Sequence, residues 1–206
     1  MNKRTSFTRL ACLAAAVVCC MFPQVAKADD GGSWINLQMN KSWQKSYGFI
    51  RLEHRSNHNF SDTEAKFLAA GLGLKMTPWL KTDLSYECWD VNPDYLIHKA
   101  VLTSTGTLSR DGLAVSVREK LEFTTNSNSF TLRSRLRGQY SIPGTSITPY
   151  AQAEVFNWKD WVRSLYYVGS EFRFGSNSMV DIFYLYHLPN GAEPVHVLGL
   201  GYYFNF

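Results

Sequence analysis

Phe130-Thr131-Leu132-Arg133-Ser134-Arg135-Leu136-Arg137 puts Phe130, Leu132 and Leu136 on one parity and three arginines on the other. Successive side chains of a strand point to opposite faces, so this stretch reads as a strand with one apolar face and one cationic face. The pattern recurs along the chain. Ile50 and Leu52 alternate with Arg51, Glu53 and Arg55, and Leu80, Leu84 and Tyr86 with Lys81, Asp83 and Glu87. Val115, Val117 and Leu121 alternate with Arg118, Lys120 and Glu122, and Ala151, Ala153 and Val155 with Tyr150, Gln152 and Glu154. Arg163, Glu171 and Arg173 continue the charged set.

Eleven segments carry this alternation, bounded by Gly, Pro, Asn, Asp or Ser: residues 33–42, 47–56, 65–76, 79–90, 96–108, 112–124, 129–141, 147–157, 161–174, 178–188 and 194–206. Most are longer than the five or six residues usual in globular strands and match the ~9–11 needed to cross a hydrocarbon core at a tilt. The fold expected is all-β: a transmembrane, antiparallel, up-and-down barrel of about 10–12 strands. Because single-chain bacterial barrels have an even number of strands, a count of eleven implies one miscalled or hidden segment. The weakest are Ser33–Ser42 and His98–Leu108.

Short turns such as Arg110-Asp111-Gly112 and Gly175-Ser176-Asn177-Ser178 alternate with more polar loops, the longest being Ser56–Glu64. Short turns belong on the periplasmic side and the loops outside. In lipid the apolar set must face outward and the charged set inward. The expected lumen lining is therefore Arg51, Glu53, Arg55, Arg118, Glu122, Arg133, Arg135, Arg137, Glu154, Arg163, Glu171 and Arg173. A soluble lipocalin-like barrel is the alternative, with the two faces exchanged. The tryptophans Trp34, Trp43, Trp79, Trp89, Trp158 and Trp161 lie near strand ends, where interfacial girdles would place them.

The chain closes on the alternate row Leu198, Leu200, Tyr202, Phe204 and Phe206, with Gly199 and Gly201 on the other face. Such a row ending on an aromatic carboxylate resembles the signal read by the outer-membrane assembly machinery. At the opposite terminus, a basic start, an apolar run from Leu10 to Phe22 and Ala26-Lys27-Ala28 form a signal peptide, residues 1–28, cleaved between Ala28 and Asp29. A membrane anchor and a lipoprotein built on Cys19 or Cys20 are the alternatives. Residues 29–206 then form one domain.

The first 28 residues carry four basic side chains and no acid, which accounts for the whole formal charge of +4. A neutral mature chain lacks the basic footprint of a nucleic-acid binder. Removing the leader leaves Cys88 alone, so no intramolecular disulfide forms, and its apolar parity makes it a buried or lipid-facing thiol.

Phe49-Ile50-Arg51-Leu52-Glu53-His54-Arg55, the Leu132–Gln139 strand, Thr148-Pro149-Tyr150-Ala151-Gln152-Ala153-Glu154-Val155-Phe156 and Val197-Leu198-Gly199-Leu200-Gly201-Tyr202 resemble the domain of unknown function 2490 family of Bacteroidota outer-membrane proteins. The resemblance spans nearly all of residues 29–206. It implies an outer-membrane location and supplies no activity.

Three functions compete. The first is a narrow pore for small polar or anionic solutes, since the inward set holds more cations than carboxylates. The second is a closed barrel, structural or surface-interacting, whose interior charges pair and fill the lumen. The third is a hydrolase at the outer rim, with His187 beside Asp90 or Asp160. No catalytic motif, metal site or cofactor is expected; His54 and His58 with Asp62 and Glu64 form the one His–carboxylate cluster in sequence. The expected partners of a monomer are outer-membrane lipid and lipopolysaccharide, the barrel assembly machinery, periplasmic chaperones and, if the lumen is open, small polar solutes.

Overall fold

The computed structural model describes residues 31–57, 62–92, 95–158, 161–189, 191 and 193–206. The leader, the Ala28–Asp29 junction, His58 and Asp160 lie outside them, as do the side chains of Asp62, Trp158 and Trp161. Eleven strands run in order: β1 (Gly31–Ser42), β2 (Ser46–Asn57), β3 (Asp62–Lys75), β4 (Leu80–Asn92), β5 (Tyr95–Arg110), β6 (Leu113–Thr124), β7 (Ser129–Tyr140), β8 (Ile147–Trp158), β9 (Trp161–Phe174), β10 (Ser178–Leu188) and β11 (Val195–Asn205). Their ends fall close to the punctuation in the sequence. Between β5 and β6, Asp111 at φ 51° and Gly112 at φ 84° take the left-handed conformations that a two-residue hairpin turn demands.

Sequence neighbours pair antiparallel, and the sheet closes into a barrel through β1 and β11. This seam is parallel, with Gly31 beside His196 and Asn40 beside Asn205. The expectation of an even count is thereby corrected. Both doubted segments are real strands, β1 and β5, and an odd meander returns its last strand in the direction of its first, so parallel pairing is the one way to close. Gly31 consequently lies at the loop end of the barrel and Phe206 at the short-turn end.

The two faces follow the alternation. Leu72, Leu84 and Leu108 are 70%, 63% and 73% exposed on the outside, while Glu87, Glu122 and Glu154 are 1%, 2% and 2% exposed within. That arrangement removes the lipocalin-like alternative, in which water bathes the charges. Leu198, Leu200 and Tyr202 face outward, Phe204 and Phe206 stack at 6.3 Å between centroids, and Gly199 and Gly201 face inward. Cys88 lies on the outward parity, half-buried.

The tryptophans divide. Trp43 and Trp79 are exposed at the short-turn end, as a girdle requires, but Trp34 and Trp89 are buried inside the barrel. Their parity explains the correction: Trp34 alternates with Ile35 and shares its face with Asn36, and Trp89 shares its face with Glu87. Position along a strand suggested a girdle, whereas parity decides the face.

Aromatic side chains also fill the interior over glycines. The Tyr47 ring lies on Gly73, the Phe49 ring on Gly71 and the Phe183 ring on Gly199. A β-carbon at any of these glycines would collide with the ring above it.

Candidate functional site

The site is the charged lumen. Its charged side chains come from the inward parities of β2 and β4 through β10, and three buried carboxylates organise it. Glu87 on β4 accepts from Arg51 Nη2 at 3.1 Å, from Lys120 Nζ at 2.9 Å and, through Oε2, from Trp89 Nε1 at 2.9 Å. Glu122 on β6 lies 2.9 Å from Lys99 Nζ, 3.0 Å from Lys120 Nζ and 2.7 Å from Arg133 Nη1. Glu154 on β8 accepts from Arg118 Nη2 at 2.9 Å and from Arg133 Nε at 2.8 Å. Arg137 donates to Glu171, and Arg55 to Glu53 at 2.7 Å.

Several of these pairs skip a strand. Arg51 on β2 reaches Glu87 on β4 over Ala69, which lies directly between them on β3 and is fully buried. Arg118 on β6 reaches Glu154 on β8 over Arg135 of β7. A small inward residue on the intervening strand makes room for such a chord; at β7 the room is instead shared with a second arginine. Bringing these charges out of water is costly unless each is paired, and each of the three carboxylates has at least two cationic partners.

Towards the loop end the interior becomes aromatic. Trp34, Leu165, Tyr167, Leu185 and Val197 form one buried cluster, and Phe67 and Trp89 stack at 4.2 Å in another. Arg55 lies between them, its guanidinium carbon 3.9 Å from the Trp34 ring centroid and 4.7 Å from that of Trp89. Further along, Arg133 stands 4.0 Å over Phe156 and Arg137 3.8 Å over Tyr150. Guanidinium faces against rings suit arginine better than lysine. A polar cavity of about 130 Å³ lies within the lumen. A larger concavity of about 710 Å³, apolar and floored by Gly48, Ala70 and Ala100, lies on the outer face away from these charges.

Most of the lumen lining expected from sequence meets here. Arg173 is the exception: it keeps the inward parity but is exposed at the short-turn mouth. Arg163 lies towards the loop end, 4.9 Å over Phe156. Arg135 faces the cavity without an ion pair or hydrogen bond among the described residues. Lys99, Trp34, Phe67, Tyr167 and Asp181 are lumen residues that the charge pattern did not flag, although their parity places each of them inside.

Glu119 is a further residue outside the charge pattern of the lumen. It lies in the middle of β6, exposed on the outer face between Val117 and Leu121, and Ser134 Oγ donates to it at 2.6 Å. Its signal in the sequence is a carboxylate interrupting an otherwise apolar row.

The histidines do not assemble a rim active site among the described residues. His187 is on the inward parity and its Nε2 has no partner there, while Asp90 is exposed on the outward parity of β4. His98 Nδ1 and His196 Nδ1 each meet a tyrosine hydroxyl, of Tyr86 and Tyr184 respectively.

Among solved structures, the beta domain of the Bordetella autotransporter Brka is similar to this chain, at 14% identity and a TM-score of 0.47, covering 82% of this chain and 96% of that one. No curated protein matches. The model of one protein family matches residues 31–196, from the first residue of β1 into β11, and the chain belongs to that family, described as "Protein of unknown function (DUF2490)".

Proposed function

We propose that this chain is an outer-membrane protein whose barrel is sealed by its own ion pairs and serves as a scaffold for what its loops present, without passing solutes. The observation that carries the reading is the burial of Glu87, Glu122 and Glu154 at 2% exposure or less, each held by at least two cations. An open pore would leave such groups hydrated.

The membrane location is supported by the apolar exterior and by Trp43 and Trp79 at one rim. In this reading the chain is exported by a cleaved signal peptide, inserted by the assembly machinery with help from periplasmic chaperones, and held as a monomer among lipid and lipopolysaccharide, loops outward. It has no catalytic role. A narrow anion pore draws support from the surplus of lumen cations, and one experiment separates the two readings. Single-channel recording of the refolded, demonstrably inserted protein in a planar bilayer should be silent. Reproducible conductance steps would overturn the sealed barrel in favour of the pore.

A further inference from the structure

Among the described residues, ion pairs of the lumen join seven cations to five carboxylates. Arg135 is an eighth cation, and it has no carboxylate partner among the described residues. Glu154 lies directly opposite on β8, and its Oε1 is held by Arg118 and Arg133. On the other side, directly opposite on β6, stands Arg118, a like charge. Arg137, two residues along on the same face, is committed to Glu171.

Unpartnered donors also gather around Arg135. The Nε–H groups of Arg118, Arg135 and Arg137 are all buried without an acceptor. All three residues line the 130 Å³ cavity, together with Asn36, Gln152, Tyr203 and the carboxylates of Glu53, Glu154 and Asp181, and Asn36 Oδ1 and Asp181 Oδ1 are themselves buried without a donor among the described residues. A buried donor without a partner is costly, and so is an uncompensated buried charge. A ligand that brings negative charge and several acceptors, and no donor that must be satisfied, offsets both.

We infer that the lumen holds a binding site for one small oxyanion of the inorganic phosphate or sulfate class, centred on Arg135 with Arg118 and Arg137 beside it. Guanidinium groups suit such ions because their planar fork matches two oxygens at once. The size of the cavity sets the upper limit. Sites for drug-sized ligands run to about 300–1,000 Å³, so this one takes a small ion and excludes nucleotides and sugars.

Access is from the short-turn mouth, where Lys81 and Arg173 are exposed on the inward parity. Of the carboxylates at that end, Asp83 accepts from Tyr47 at 2.8 Å, Asp181 from Tyr150 at 3.0 Å through Oδ2, and Glu171, opposite Asp181, from Arg137. The other end is occupied by the Trp34 and Trp89 clusters. Binding at this site requires no passage through the barrel, so the inference stands or falls separately from the sealed-scaffold reading.

The test is calorimetric titration of inorganic phosphate into the refolded full-length mature barrel in detergent micelles, at constant ionic strength with gluconate as the background anion. Saturable binding near one ion per chain is expected, weakened at least tenfold in Arg135→Gln and unchanged in Arg110→Gln, which alters an exposed turn. Phosphate should raise the unfolding temperature of the parent and not that of Arg135→Gln. Without phosphate, Arg135→Gln should unfold no lower than the parent, because the change removes a half-buried cation that has no ion-pair partner among the described residues. No saturable binding by folded parent protein would overturn the inference, as would equal binding by Arg135→Gln. Failure of Arg135→Gln to fold would overturn it as well, by showing that the guanidinium has a structural role. Conductance recordings on the same preparations report on the scaffold alone.

Discussion

Arg133 and Glu154 are joined twice at one oxygen, Nε at 2.8 Å and Nη2 at 2.7 Å from Oε1. Because Arg133 also holds Glu122, its loss would leave two buried carboxylates short of charge. Arg133→Gln should therefore destabilise the barrel by about 3–5 kcal/mol, in the range for breaking a buried pair. Urea unfolding in detergent reads this directly. A shift below about 1 kcal/mol would mean that Lys99, Lys120 and Arg118 suffice to hold the two carboxylates. Replacing Arg133, Arg135 and Arg137 together by Gln should then act mainly on stability, with any current remaining absent.

Glu119 sets an opposite sign. A carboxylate facing hydrocarbon in mid-strand is unfavourable, though less so than the 2–4 kcal/mol typical of a lipid-facing Lys or Arg at the midplane. Glu119→Leu should raise the unfolding free energy in lipid bilayers by about 1–2 kcal/mol. Destabilisation would show that the Glu119–Ser134 pair is a structural contact rather than a burden.

Phe183 and Gly199 fit because glycine has no β-carbon. Gly199→Ala overpacks this contact and should cost about 1–3 kcal/mol. Adding Phe183→Leu should restore part of the loss, since it shortens the ring that the new methyl meets. If the double variant were no more stable than Gly199→Ala, backbone strain and not the ring would be responsible.

The parallel seam makes a register prediction. In a background with Cys88→Ser, paired cysteines at Ser33 with Leu198, and at Met39 with Phe204, should each cross-link under mild oxidation, because both are opposed partners across β1 and β11. Cysteines at Ser33 with Phe204 should not. The reverse pattern on non-reducing gels would replace the parallel seam with an antiparallel one.

The tryptophans can be separated by quenching. In single-tryptophan variants, brominated lipid should quench Trp43 and Trp79, which lie outside, and spare Trp34 and Trp89, which lie inside. Equal quenching of all four would return Trp34 and Trp89 to the lipid face.

The strands were readable because their alternation is local: each inward Arg or Glu flanked by outward Val, Leu or Phe states its own face. The parity of Trp34 and Trp89 is equally local, and it, rather than their position near strand ends, sets their face. Closure was not readable. Whether β1 meets β11 parallel or antiparallel depends on two segments more than 150 residues apart, and neither carries a mark of its partner. The ion pairs were legible as a set and not as a network. Arg118 and Arg135 have the same parity and the same charge, and only the register that seats both opposite Glu154's reach shows that one of them goes without a carboxylate.

The seam also governs how the molecule can be re-engineered. With Gly31 and Phe206 at opposite mouths, reporters fused at the two ends of the barrel would sit on opposite sides of a membrane. A circular permutant could not join those ends with a hairpin-sized linker. It would need roughly ten or more extended residues, at about 3.3 Å each, laid along the wall or through a lumen that is already full. An even-stranded barrel, whose ends share a mouth, carries no such restriction.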